Sequence, residues 1–174
     1  MSGILVRLSS QELHDAERLG ADTDAICQKV MGYKPRDPGS NKLQSEIDGA
    51  RAEFAVAKLY ATEKPTLNIL GDGGKDLWFG GLSIDVKFTN TDDLIFDDVD
   101  AFKADVAVLV KNYGDDPRSL VVVGCVSRGE FAANSETQQR KYGTKLCMKA
   151  SDLAPPESLW RVGKCREVSG GLEG

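Results

Sequence analysis

A Gly80-Gly81 step between two short runs of strand-forming residues, Leu77-Trp78-Phe79 and Leu82-Ser83-Ile84-Asp85-Val86-Lys87, leaves this chain little choice but a tight β-hairpin. With the glycines as the turn, Phe79 faces Leu82, Trp78 faces Ser83, Leu77 faces Ile84 and Asp76 faces Asp85. Counting out from the turn makes Asp76 and Asp85 a non-hydrogen-bonded pair, with α-carbons expected roughly 4.5 Å apart. Strand alternation sends Leu77, Phe79, Leu82, Ile84 and Val86 to one face, which must pack on a core. Asp76, Asp85 and Lys87 take the other face, where a long cation has no packing role. Like charges opposite one another destabilise a sheet, and a divalent cation between them reverses that sign. The hairpin therefore reads as a metal site with a lysine beside it. A surface salt-bridge cluster is the plainer alternative.

Residues 42–62 form the longest helical pattern, with Leu43, Ile47, Ala50, Phe54, Ala57 and Ala61 at spacings of three and four. Glu53 stands next to that stripe among Gly49, Ala50, Val56 and Ala57, and Glu46 lies two turns earlier on nearly the same line. A carboxylate among small residues is either a partly buried ligand with room for an ion or an ordinary helix-surface glutamate. Upstream, Ser9-Ser10-Gln11-Glu12 predicts a capped helix with Leu13, Ala16 and Leu19 on one face, and Asp22–Met31 a second short helix stopped by Gly32. The Gly- and Pro-rich stretch 32–42 carries Lys34, Arg36, Lys42 and Tyr33, a loop that suits either phosphate and base contacts or a plain linker. Residues 66–70 read as a strand and 71–74 as the loop that feeds the hairpin.

Beyond it, the runs at 106–110 and 120–123 are apolar without alternation, as in strands buried on both faces, with the turn at 114–117 between them. Residues 92–100 are an acidic run crossed by Leu94-Ile95-Phe96. The run lacks the spacing of an EF-hand calcium loop, so a solvated or partner-facing loop is expected. Arg128–Ala132 starts a short helix. Residues 138–145 read as a polar, basic loop carrying Arg140, Lys141 and Lys145, next to a strand-like 146–148. A last helical turn is expected around Leu159-Trp160, and a frayed end at 169–174.

Charge and composition narrow the chemistry. The total of −5 disfavours a nucleic-acid partner, but it is unevenly spread. Residues 85–117 hold 3 cations and 9 anions, whereas residues 118–166 hold 9 and 4, enough for the C-terminal third either to grip a phosphate backbone or to present a solvated basic face without a function. His14 is the only histidine, which removes most chemistry built on a histidine base. Cys27, Cys125, Cys147 and Cys165 contain no Cys-x-x-Cys pair and read as reduced thiols of a cytoplasmic protein. With 174 residues, one domain is expected, with N-terminal helices and a basic loop over 1–41, a core over 42–168 and the tail; no apolar run reaches bilayer length.

A helix bearing a glutamate, then an aspartate opening a strand, then Asp-x-Lys on the paired strand resembles the PD-(D/E)xK nuclease superfamily, above all its small single-domain members from bacteriophages and mobile elements. The matching segments are 49–57 around Glu53, Asp76, and Asp85-Val86-Lys87; Lys75 stands where the family name has proline. The resemblance implies an α/β fold with a restriction-endonuclease-like core, a central mixed β-sheet flanked by helices. It implies a Mg²⁺-dependent DNA endonuclease, with Mn²⁺ able to substitute and RNA a further substrate class. Asp76, Asp85, the main-chain carbonyl of Val86 and Glu53 would hold the metal, and Lys87 would orient the attacking water or steady charge on the phosphate. Small members often work as dimers, so a homodimer is among the expectations, in the host cytoplasm if the gene is a phage's. From a different class, a non-catalytic acidic interaction protein or an inactive nuclease relic remains the alternative.

Overall fold

The computed structural model of the protein describes residues 3–31, 41–67 and 73–161. Among the described residues the main elements follow in the order β1 (Ile4–Arg7), α1 (Ser10–Met31), α2 (Lys42–Tyr60), β2 (Leu77–Phe79), β3 (Leu82–Phe88), β4 (Asp93–Phe96), β5 (Val106–Asn112), β6 (Ser119–Ser127), α3 (Arg128–Asn134), β7 (Glu136–Arg140) and β8 (Gly143–Lys149), and residues 157–161 are helical, as expected around Leu159-Trp160. The class is α/β. A mixed five-stranded sheet runs β1-β6-β5-β3-β2, and a second sheet of three strands runs β4-β8-β7. Among the described strands only β3 and β5 pair in parallel, and the other pairs are antiparallel. Among the described residues no helix is long and apolar enough to cross a membrane.

The unbroken apolar runs in β5 and β6 follow from layers on both sides. Val106, Val108, Val110, Leu120 and Val122 join Ile84, Val86 and the α2 residues Ala52, Val56 and Tyr60 in one core cluster. Ala107, Leu109, Val123 and Val126 join Leu94, Phe96, Phe102, Phe131 and Met148 in a second, on the opposite face. Helix α2 thus covers one face of the large sheet, and the small sheet with α3 covers the other.

Helix α1 corrects the expected pair of short helices. It runs unbroken through Gly20, because that glycine is where α1 crosses α2: a Cβ there would lie 2.6 Å from the Ile47 α-carbon. Its capping box forms as expected, with the Glu12 carboxylate accepting from Ser9 N–H at 2.7 Å and Ser9 Oγ accepting from Glu12 N–H at 3.1 Å. Arg51, only 4% exposed, fastens α2 to the β5–β6 connection. Its Nε donates to the Pro117 carbonyl at 2.8 Å, and its two terminal nitrogens donate to Asp48 at 2.7 Å and to the Asn112 side chain at 3.1 Å.

Two expected loops are strands. The acidic run contains β4, whose Leu94 and Phe96 are buried and whose backbone pairs with β8. The basic stretch 138–145 is the β7–β8 hairpin, turning at residues 141–142. Leu94 and Phe96 bury themselves against Met148 of β8, and the Arg140–Asp93 and Lys145–Asp97 pairs tie the basic hairpin to the acidic run. The basic loop at 32–40, residues 68–70 of the expected strand, residues 71–72, Cys165 and the tail lie outside the described residues; residues 66–67 are in neither helix nor strand.

Candidate active site

The Gly-Gly hairpin forms in the expected register, Phe79 with Leu82, Trp78 with Ser83 and Leu77 with Ile84. Gly80 and Gly81 have φ of 55° and 75°, the positive pair that a two-residue type I′ turn requires. The ladder then stops one residue short of the expected Asp76–Asp85 pair. Asp76 N–H donates to the Ile84 carbonyl at 2.8 Å, and its carboxylate accepts from Val86 N–H at 2.6 Å. Asp76 therefore clasps the backbone on both sides of Asp85 instead of facing it across a regular rung. The N–H and C=O of one strand residue point the same way. The Val86 carbonyl accordingly looks toward Asp76, past the last rung.

Asp85 is 2% exposed, in the middle of β3, and its Oδ1 lies 2.6 Å from Lys87 Nζ. The Lys87 side chain is 38% exposed, so its ammonium bridges a buried carboxylate and solvent. The same nitrogen stands 5.0 Å from the centroid of the Phe96 ring on β4, near enough for a cation–π attraction. Asp85 and Lys87 thus open into the seam between the two sheets. Ser83, next on that face, is buried and donates its hydroxyl to Asp105 at 2.7 Å.

Glu53 starts from the other face. It is half-buried on α2, seven residues before Tyr60 and hence on nearly the same line of the helix. Tyr60 stacks against Phe79 of β2 with ring centroids 5.2 Å apart, so that line is turned toward the hairpin. Among the described residues no three His, Cys, Asp or Glu side chains gather as a metal-holding group. The three expected acids are therefore not one cluster: α2 packs on the Ile84–Val86 face, and Asp85 points away from it. The hard oxygens the hairpin offers are the Asp76 carboxylate, held on Val86 N–H, and that of Asp85, the residue before Val86 on β3. That set fits Mg²⁺, which takes one or two carboxylates and keeps its waters.

The expected phosphate-binding residues are dispersed and largely engaged. Lys34 and Arg36 lie outside the described residues. Lys42 begins α2, 3.5 Å from the buried Asp24. Arg140 pairs with Asp93, and Lys145 with Asp97, tying the basic hairpin to the acidic run. The Asp93 carboxylate raises the Arg140 guanidinium above its ordinary value, aided by Cys147. Lys141, at the exposed tip, lies 4.9 Å from the Tyr142 ring centroid. A cysteine nucleophile has no support at Cys125, whose thiol burial pushes up to about 11, with Glu130 and Glu157 adding to it.

Three residues near the hairpin escaped the sequence reading. Trp78 is 60% exposed, with Lys75 Nζ 5.8 Å from its ring centroid. The Lys103 side chain lies along the loop at Gly74, where an added Cβ would be 3.7 Å from Lys103 Cβ. The signal for Trp78 was present: alternation sets it on the aspartate face, opposite Leu77 and Phe79. No family model, curated protein or solved structure matches the chain.

Proposed function

We propose that the chain is a metal-dependent phosphodiester hydrolase acting on DNA, built on a restriction-endonuclease-like core. One observation carries this reading: a buried aspartate, Asp85, bonded to a solvent-reaching lysine two residues on, with Asp76 clasping the backbone beside it. A lone buried carboxylate is costly in a packed core, and a structural role would be met as well by an apolar side chain.

Asp76, Asp85 and the Val86 carbonyl would hold Mg²⁺ or Mn²⁺ from the hairpin, with Glu53 on the opposite face left outside this set. When bound, the ion supplies a polarised water and charge relief at phosphorus. The chain does the rest. Asp76 fixes the β3 backbone through Val86 N–H and so fixes the aim of Asp85. Asp85 holds the Lys87 ammonium at the mouth of the seam. From there Lys87 reaches a phosphate oxygen, or steers a proton on the attacking water. The alternative of an acidic surface for a basic partner loses support, because three carboxylates of the run, Asp92, Asp93 and Asp97, already pair with Lys111, Arg140 and Lys145.

The test is cleavage of supercoiled, linear, branched and single-stranded DNA, with RNA alongside, in Mg²⁺ or Mn²⁺. Asp85→Asn and Lys87→Ala should each lower the rate on the order of 10²-fold or more while circular dichroism stays native. Either ion should also raise the melting temperature of the wild type and not of Asp85→Asn. Wild-type protein that cuts none of these substrates with either metal removes the proposal.

A further inference from the structure

Trp78 is the exception among the aromatic side chains of this region. Tyr60, Phe96 and Phe102 are buried, and Phe79 packs on Tyr60, whereas the Trp78 indole is 60% exposed on the edge strand of the large sheet. Its cross-strand partner, Ser83, is a small buried residue bonded to Asp105. Exposed apolar surface of this size costs solvation.

Its surroundings select a ligand. Lys75 stands 5.8 Å from the ring centroid, and the Lys103 side chain lies along the loop at Gly74, the residue before Lys75. Both are exposed, and neither belongs to the engaged basic hairpin. Trp78 is also the diagonal neighbour of Asp85 on the same face of the hairpin, a separation of about 7–8 Å between α-carbons. An open π-face flanked by cations, one diagonal step from a proposed phosphodiester site, has the chemistry of single-strand binding. There a base stacks on an aromatic ring and the backbone runs past lysines.

We infer that Trp78, with Lys75 and Lys103, is a stacking platform for one unpaired base of the substrate, so that the site takes single-stranded or locally unpaired DNA in preference to intact duplex. The inference deepens the hydrolase reading and rests on it for the position of the scissile phosphate. A base within a duplex is stacked on its neighbours and cannot offer its face to the indole. A base at a flap, a branch or a single-stranded end can.

The experiment measures binding of an end-labelled oligonucleotide of about 12 nucleotides by anisotropy in EDTA, a length within the usual span of such sites. The same sequence as a duplex is the second ligand, and cleavage in Mg²⁺ is followed in parallel. Trp78→Leu should weaken single-strand binding about 10-fold or more, and duplex binding about 2-fold or less, because stacking adds only where a base face is free. Trp78→Phe should recover most of the loss, which a merely structural defect would not. Lys75→Ala should lower the salt dependence of binding without changing the strand preference. Equal losses on both ligands, or none, overturn the platform. A shift from dimer to monomer in gel filtration on Trp78→Leu, with binding unchanged, makes the indole a self-association surface and also overturns it. Wild-type cleavage that is indifferent to Trp78 overturns the platform and leaves the hydrolase standing. Trp78-dependent single-strand binding without cleavage does the reverse.

Discussion

Removing Lys87 should cost stability as well as activity. From the hairpin alone, Lys87 has no packing role, and Lys87→Ala is expected to change stability by no more than about 0.5 kcal/mol, like other substitutions that leave neither a cavity nor a buried charge. Asp85 overturns that expectation. Its carboxylate is 2% exposed and has the lysine nitrogen 2.6 Å away. Breaking a fully buried ion pair costs about 3–5 kcal/mol, since the charge left behind has lost its cation. Lys87 is itself 38% exposed, so water screens the pair and can partly replace the ammonium; the cost falls to about 1–3 kcal/mol. Urea denaturation at neutral pH measures it: with a slope of about 2 kcal/mol/M, the midpoint should drop by about 0.5–1.5 M. Asp85→Asn in the Lys87→Ala background should cost less than the sum of the two single changes, giving a coupling of about 1–2 kcal/mol. A Lys87→Ala midpoint within about 0.25 M of wild type, the shift expected for 0.5 kcal/mol at that slope, together with no coupling, would refute the burial argument.

Arg51→Lys should destabilise nearly as much as Arg51→Ala, by about 3 kcal/mol or more, because an ammonium cannot fork to Pro117, Asp48 and Asn112 together; a lysine variant as stable as wild type would show that charge alone suffices. Arg140→Gln and Lys145→Gln should lower the melting temperature and weaken DNA binding by about 2-fold or less, since Asp93 and Asp97 already hold both side chains. Losses of about 10-fold or more from either would make the β7–β8 hairpin a phosphate grip. Burial works upward on the Glu12 carboxyl, but Lys58 and the Ser9 N–H and hydroxyl outweigh it and hold the group down from 4.5 to about 2. A lowered acid contributes stability that is present above 4.5 and is lost as the pH falls toward 2, so Glu12→Gln should flatten the acid limb of the stability curve between those values. An unchanged limb would assign acid unfolding to other carboxylates.

Local chemistry was legible wherever neighbours along the chain decide it. Gly80-Gly81 specifies its turn because a type I′ turn needs two positive φ values, and the register Leu77–Ile84 follows by counting. The Ser9–Glu12 box, the short helix that starts at Arg128, and the doubly buried β5 and β6 also follow from adjacent residue types. Contacts across the chain were not legible. Residues 10–31 read as two short helices, whereas one helix runs through Gly20 past α2, and the acidic run reads as solvated until the basic hairpin lies beside it. Period-two alternation sends Asp85 and Lys87 to the face away from Ile84, but it says nothing of what covers that face. Only the packing of Phe96 and the small sheet there buries the carboxylate and leaves its lysine at the rim. The sequence by itself determines the hairpin and its alternating faces, because φ preference and side-chain alternation act between neighbours. Which acids meet depends on which side of the sheet α2 takes, and that is set by burial summed over the whole core.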